Sequence, residues 1–182
     1  GSVTIGPLVI GELMAGTALQ RVREVALGHL YLTHPDAQLA RVCADYVDLI
    51  HDLLFREPDQ PAQQVLAEFA NRAVGGNVEQ LIQKTHNDAD IIGGRFSKAC
   101  YISGSWPGVL FLACKYLQDP IAGLRSNTNL GGDNVHRGSV LGFILGLATG
   151  DDLPAFFGQL TAQQLIDAEI NGLLDAVQIR ST

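Results

Sequence analysis

The chain has 182 residues, a formal net charge of −7 and a pI of about 5.0. Its length suits one compact domain with a sizeable core, and its 47% hydrophobic and 17% charged residues are typical of a globular protein. The acidic balance argues against nucleic acid or an anionic membrane as the main partner, because both bind basic surfaces. It does not argue against a phosphorylated small molecule whose charge a metal ion neutralises.

In chain order, apolar residues recur with helical period between turns marked by proline or glycine. Helices are predicted at residues 17–32, 36–55, 62–74 and 77–86, and further helices near Trp106 or Pro107, Pro120, Asp133 and Thr161. Asp36 is placed to cap the second helix, and Gly75 with Gly76 to end the third. Residues 87–105 give no clear prediction. Because no segment alternates with period two, the predicted fold class is all-α, a single-domain helical bundle over residues 1–182.

The three cysteines, Cys43, Cys100 and Cys114, follow no zinc-binding spacing. Each is flanked by apolar or helix-forming residues, so we expect buried thiols in a reducing compartment. No stretch reaches the roughly 18 apolar residues of a membrane span, and the start of the sequence has no signal-peptide pattern. These features favour a cytoplasmic protein.

The segment SNTNLGGDNVHRGSVLGFILGLATG, residues 126–150, changes from polar to apolar after Arg137. Its glycines at 138, 142, 146 and 150 share one side of a helix. A glycine in a helix interior costs about 1 kcal/mol relative to alanine. We therefore interpret this segment as a central helix that packs closely against another helix backbone.

Polar residues precede the predicted start of this helix. Asp133 or Asn134 is placed to be the N-cap, and Gly131 with Gly132 would leave main-chain amides open to a ligand. The unpaired N–H groups of a helix N-terminus suit a pyrophosphate or a carboxylate, while the Asp133 carboxylate itself suits Mg²⁺. The same residues are also compatible with an N-cap after a glycine turn that has no function.

Four blocks of the sequence resemble the ADP-ribosylglycohydrolase family. They are GSVTIGPLVIG (1–11), LTHP (32–35), CYISGSWPGVLFLACKY (100–116) and NTNLGGDNVHRGSVLGFILG (127–146). In the last block an N-x-G-G-D segment opens a helix with small residues at the family's spacing. The order and spacing of the four blocks cover most of the chain, so the resemblance is stronger than any one motif.

The resemblance implies an all-α hydrolase that cleaves the N- or O-glycosidic bond between ADP-ribose and an acceptor, using a pair of Mg²⁺ ions. The first Asp of the family's C-terminal signature is a metal ligand, and that role falls on Asp133. The implied ligand is ADP-ribose or an ADP-ribosylated substrate, and Tyr101 is a candidate wall for its adenine or ribose. The candidate ligand-binding residues are Tyr101, Ser103, Asn129, Gly131, Gly132, Asn134 and His136. No catalytic residue is assigned.

The signature itself departs from the family pattern, Gly-Gly-Asp-x-Asp-Thr. Val135 occupies the position of the pattern's second acid and cannot ligate a second metal ion. His136 occupies the position of the pattern's threonine, which carries a hydroxyl group. Imidazole is a poor ligand for Mg²⁺. His136, with Arg137 beside it, could bind phosphate or ribose, or could be a surface residue on the first helical turn.

The second departure concerns the family's N-terminal metal-binding motifs, a Gly-Asp motif and a Thr-Asp-Asp-Thr-like motif, which have no match here. Asp151 and Asp152 have the wrong order and flanks, and Asp88 and Asp90 are predicted to lie in a solvated loop. The expected bundle is therefore an incomplete one of the ADP-ribosylglycohydrolase type.

Three explanations of this incompleteness remain open. The chain is a piece of a longer enzyme, or a non-catalytic remnant that binds ADP-ribose, or a purely structural protein like the lens crystallins that resemble this family. By family it is an enzyme, but as given we expect little or no hydrolase activity. If helices normally contributed by a missing half leave apolar surface exposed, a homodimer is expected.

Overall fold

The structure, a computed structural model, describes residues 2–150 and 157–180. This part of the chain forms ten α-helices and no β-strand, which confirms the all-α prediction. After a 3₁₀ turn at Ser2–Thr4, the helices are α1 (Ile5–Met14), α2 (Leu19–Tyr31), α3 (Ala37–Leu54), α4 (Ala62–Val74), α5 (Val78–Lys84), α6 (Asp88–Ile91), α7 (Ile102–Lys115), α8 (Pro120–Leu130), α9 (Asn134–Thr149) and α10 (Gln163–Arg180).

Local signals fix several of these boundaries. Asp36 caps α3, because its Oδ1 accepts a hydrogen bond from the Leu39 N–H at 2.7 Å. Gly75 ends α4 with a left-handed conformation, φ 67°. Helix α1 was not predicted, because Gly6, Pro7 and Gly11 obscure its helical pattern; Pro7 is tolerated there because it lies in the first turn.

Helix α7 forms the centre of the bundle. Ten of its residues are buried, including Trp106, Leu110 and Phe111, and it packs against α3, α4, α5, α8 and α9. The Trp106 ring meets the buried Tyr46 ring of α3 edge to face, with centroids 5.7 Å apart. This packing of Trp106 fixes the position of the start of α7, which follows the 87–101 segment.

Helix α9 packs against α8, α7 and α3 through Leu141, Ile144 and Leu145, which are fully buried. At Gly138 and Gly142, the nearest atoms belong to side chains and not to the closely approaching backbone that we expected. A Cβ at Gly138 would lie 2.8 Å from the Asn127 Nδ2, and one at Gly142 would have ordinary contact with Leu124. The glycine at 138 therefore leaves room for a side chain of α8, and for these two glycines the interpretation was wrong.

The C-terminus of α9 is held by an arginine from the end of α3. The Arg56 guanidinium donates to the carbonyl oxygens of Leu147 at 3.2 Å, Ala148 at 3.3 Å and Leu53 at 2.5 Å. The last carbonyls of a helix have no partner within the helix. A guanidinium placed there donates hydrogen bonds to them and interacts favourably with the negative end of the helix dipole.

Helix α10 lies against α1, where the Leu173 side chain reaches Gly11. Leu165, Ile170 and Leu174 of α10 are exposed. The homodimer that we expected from exposed apolar surface stays a prediction. Across residues 2–150 and 157–180, no helix combines the length and apolar character needed to cross a membrane.

Candidate functional site

A cleft of about 820 Å³ opens beside the N-terminal end of α9, a size typical of ligand pockets. Four separate parts of the chain form its walls. They are the 3₁₀ turn with Ser2 and Val3, the α2–α3 connection from His34 to Leu39, the start of α7 from Cys100 to Val109, and the first turns of α9 with the preceding Asp133. These parts come together because α3, α7 and α9 pack against one another in the core.

The turn that leads into α9 depends on two glycines. Gly131 has φ 66° and ψ −154°, a conformation accessible essentially only to glycine. At Gly132, φ is +67° and a Cβ would lie 2.2 Å from the Lys98 carbonyl oxygen. That oxygen accepts the Asp133 N–H at 2.8 Å. The pair thus lets the α8–α9 turn pack against the 97–101 segment, and neither glycine is among the residues that line the cleft.

Asp133 occupies the N-cap position of α9, but its side chain makes no capping hydrogen bond. Instead His136 Nδ1 donates to Asp133 Oδ1 at 2.5 Å. The Asp133 side chain is 24% exposed and that of His136 is 68% exposed, and both line the cleft. The structure therefore brings these two predicted site residues together.

Arg137, which follows His136, is the least exposed charged residue of the cleft, at 3%. Its Nε donates to Asn127 Oδ1 at 2.6 Å, and its Nη2 donates to the carbonyl oxygens of Gly131 at 2.9 Å and Asn127 at 3.3 Å. Burial lowers the pKa of the guanidinium, and the nearby Asp133 carboxylate opposes that shift. From the sequence, Arg137 was predicted only to assist His136 as its neighbour.

The asparagines of the signature mainly support the turn. Asn127, itself buried, donates through Nδ2 to the Asn134 carbonyl oxygen at 2.9 Å. Asn134 donates through its own Nδ2 to the Thr128 carbonyl oxygen at 3.1 Å, so its side chain bonds to α8. Asn129 is exposed, and neither it nor Asn134 lines the cleft. Both remain predicted ligand residues on the resemblance alone.

Tyr101 and Ser103 lie on the α7 side of the cleft, as a binding role requires. Tyr101 precedes the first turn of α7, and 69% of the residue is exposed. Cys100 beside it is also exposed and lines the cleft, so the prediction of a buried thiol was wrong there. Cys43 and Cys114 are buried, as expected.

The arrangement around Asp133 does not by itself form a metal site. Val135, at the position of the family's second acid, is 72% exposed and offers no ligand atom. In the part of the chain that the structure describes, no three His, Cys, Asp or Glu side chains lie together as metal ligands would. Mg²⁺ takes six oxygen ligands in octahedral geometry, so beside the Asp133 carboxylate most of them would have to come from water or from a bound ligand.

Asp88 lies away from the cleft, in a polar cluster that was not predicted from the sequence. It is 8% exposed and accepts hydrogen bonds from Lys115 Nζ at 2.5 Å and Tyr116 Oη at 2.6 Å, and a third from Ser126 Oγ. The prediction of a solvated loop was therefore wrong for Asp88. No local pattern could have revealed this cluster, because its partners are 27 to 38 residues away.

Comparison with known proteins identifies the family. A sequence model of the ADP-ribosylglycohydrolase family matches residues 2–181. No curated protein and no solved structure matches the chain significantly. Members of this family act on ADP-ribosylated substrates, typically with divalent metal ions. Because the match extends over nearly the whole sequence, the chain belongs to the ADP-ribosylglycohydrolase family.

Proposed function

We propose that the cleft at the start of α9 binds the ADP-ribosyl group of a ligand, and that this chain hydrolyses such ligands slowly or not at all. One observation carries the proposal. The four blocks that resemble the family are separate in sequence, and each contributes to the walls of the same cleft, through Ser2, His34, Tyr101 and Asp133 among others.

The chemistry of the walls suits the parts of an ADP-ribosyl group. Tyr101 offers an exposed aromatic face, and stacking of a base on such a face contributes about 1–3 kcal/mol. Ser103 offers a hydroxyl group for hydrogen bonds to ribose, and Arg137 supplies a cation within the cleft. Asp133 is the carboxylate that would hold Mg²⁺ in this family, as the resemblance implies.

Weak turnover is expected from what surrounds Asp133. Glycosidic hydrolysis passes through an oxocarbenium-like transition state, which requires an oriented water and a group that activates it. Metal ions supply this activation in the family, but the residue two positions after Asp133 is a valine, and Oδ1 of Asp133 already bonds His136. We therefore expect Mg²⁺ to bind weakly to this chain, and we derive no catalytic step through it.

Calorimetric titration with ADP-ribose, with and without Mg²⁺, tests the binding proposal. We expect saturable binding that Tyr101→Ala weakens by about 5- to 150-fold, the equivalent of one lost base stack. Tyr31→Ala is the matched control, because Tyr31 is 50% exposed on α2 and lies outside the cleft. No binding in either condition would reject the proposal and favour a purely structural role.

A turnover assay with an ADP-ribosylated peptide and Mg²⁺ tests the second half of the proposal. We expect a rate close to that of the uncatalysed reaction. A robust rate that Asp133→Asn abolishes would show instead that the present chain holds a working metal site.

A further inference from the structure

The Arg137 guanidinium has one nitrogen that the protein leaves unused. Nε and Nη2 together donate three hydrogen bonds, whereas Nη1 donates none within the described part of the chain. In that same part, no fully buried side-chain nitrogen lacks a partner. Nη1 is therefore reachable by solvent although the residue is 97% buried, and the space that Arg137 borders is the cleft.

The charge of Arg137 is also incompletely balanced. Its hydrogen-bond acceptors on Asn127 and Gly131 are neutral, and within residues 2–150 and 157–180 it forms no ion pair. The nearest acid that influences it, Asp133, bonds His136 instead. A buried cation without a paired anion is costly, so an anionic ligand that reaches Nη1 gains an interaction that the protein itself does not satisfy.

The first turn of α9 adds further donors beside this cation. The N–H groups of residues 134–136 have no acceptor within the helix, and the Asp133 side chain, which could have capped them, does not. These amides carry the positive end of the helix dipole. Of these residues, His136 lines the cleft together with Arg137, and unpaired helix N–H groups next to a guanidinium suit the oxygens of a phosphate.

We infer that Arg137 and the first turn of α9 form an oxyanion subsite, which binds a phosphate or diphosphate group directly, without a divalent cation. This inference rests on the proposed function, because it assumes that this cleft is the ligand-binding site. In the family's metal site, the start of this helix supplies negative charge, whereas in the oxyanion subsite it supplies positive charge. In place of a carboxylate that attracts a cation, a fixed cation attracts the anion.

The two views predict opposite effects of one substitution. At a metal site, Asp133→Asn weakens ligand binding because it removes a metal ligand. At an oxyanion subsite, Asp133→Asn strengthens binding because it removes a negative charge close to the bound anion. This substitution is also mild for the fold, because among the described residues the Asp133 carboxylate bonds only the exposed His136 side chain.

The experiment is a fluorescence titration of the full chain with inorganic pyrophosphate in EDTA, at constant ionic strength. Trp106 is the single tryptophan of the sequence and lines the same cleft, so its emission reports occupancy. We expect a saturable change in emission. Pyrophosphate should bind at least about tenfold more weakly to Arg137→Gln and a few-fold more tightly to Asp133→Asn than to the wild type. Arg95→Gln, outside the cleft, should match the wild type.

Circular dichroism establishes that each variant is folded. If Arg137→Gln does not fold, Arg137→Lys keeps the charge without the forked geometry and should weaken binding, while Asp133→Asn carries the test independently. The inference is overturned if pyrophosphate does not bind in EDTA, or binds only after Mg²⁺ is added. Binding that is equal in the wild type and a folded Arg137 variant, or weaker in Asp133→Asn, also overturns it.

The same titrations separate this inference from the proposed function. Binding of ADP-ribose that depends on Tyr101 but not on Arg137 keeps the proposed function and overturns the oxyanion subsite. Binding of pyrophosphate that depends on Arg137, with no binding of ADP-ribose, keeps the subsite and overturns the proposed function.

Discussion

Asp88 on α6 and Lys115 at the end of α7 form an ion pair, with 2.5 Å between Lys115 Nζ and Asp88 Oδ1. The carboxylate also accepts hydrogen bonds from Tyr116 and from Ser126 of α8. One side chain thereby joins three helices. Because Asp88 is 8% exposed, removing its charge leaves the partly buried Lys115 ammonium group without its counter-ion.

We expect Asp88→Asn to lower the free energy of unfolding by about 2–4 kcal/mol, the usual cost of breaking a buried ion pair on one side. Urea denaturation followed by circular dichroism measures it. Asp90→Asn is the matched control, because Asp90 is exposed and two residues away. It should change the free energy by less than about 0.5 kcal/mol, and equal effects of the two substitutions would contradict the role of Asp88.

The same cluster predicts a pH dependence of stability. Burial alone would raise the pKa of the Asp88 carboxyl, but hydrogen bonds from Lys115, Ser126 and Tyr116 outweigh it and hold the pKa below its ordinary value of 3.8. Folding therefore favours the ionised form. Its contribution is complete above the unfolded pKa and is lost as pH falls through the lower pKa of the folded state.

Denaturation midpoints measured between about pH 6 and pH 2.5 test this dependence. The loss of stability on acidification should be smaller in Asp88→Asn than in Asp90→Asn. Parallel curves would show that Asp88 does not contribute to the acid sensitivity.

Gly132 supports a prediction about the turn beside the cleft. Gly132→Ala introduces both a left-handed alanine and a Cβ 2.2 Å from the Lys98 carbonyl oxygen, so the 97–101 segment must move. Gly16→Ala has the same backbone strain, φ +78°, but no atom within 4 Å. We expect about 1–2 kcal/mol of destabilisation at Gly16 and a larger loss at Gly132. Ligand binding should weaken only for Gly132→Ala, which titration with ADP-ribose measures.

The three thiols should differ in reactivity. Burial raises the pKa of Cys43 to about 11, and burial together with Glu79 raises that of Cys114 to about 12. Both are inert in the folded chain, because the thiolate is the reactive form. Cys100 is exposed in the cleft. Brief alkylation followed by mass spectrometry should modify Cys100 alone, and a saturating cleft ligand should slow it. Equal labelling of all three would contradict the packing of α3 and α7.

Gly28 offers a stabilising substitution. It lies in α2, where a Cβ would meet no atom within 4 Å, so alanine gains helix propensity without a clash. Gly28→Ala should raise the free energy of unfolding by about 0.5–1 kcal/mol. Gly6→Ala is the contrast, because its Cβ would lie 2.9 Å from the Phe143 ring and should destabilise. Thermal unfolding measures both changes in stability. If the two substitutions changed the free energy of unfolding in the same direction, the contact of Gly6 with the Phe143 ring would be contradicted.

The sequence predicted those features whose causes are local. Asp36 after Pro35 and Gly75 after an amphipathic run each mark a helix end through neighbouring residues alone, and both were confirmed. The position of Asp133 at the start of a helix was also predicted, since the glycine turn and the apolar run adjoin it.

Features that depend on distant residues were not predictable in this way. The buried state of Asp88 depends on Lys115 and Ser126, and the space left by Gly138 depends on Asn127. The free nitrogen of Arg137 follows from a hydrogen-bond pattern that only the folded turn reveals. The resemblance identified the family, but which blocks face one cleft became visible only in three dimensions.

Arg56 at one end of α9 and the Arg137–Asn127 contacts at the other fix this helix against motion along its axis. A slide of one residue, about 1.5 Å, would break hydrogen bonds at both ends simultaneously. The wall of the cleft that the first turns of α9 form is therefore expected to keep its position when a ligand binds. Adjustment to an incoming molecule is therefore expected from the segment before α7, where Tyr101 is exposed and makes no capping bond.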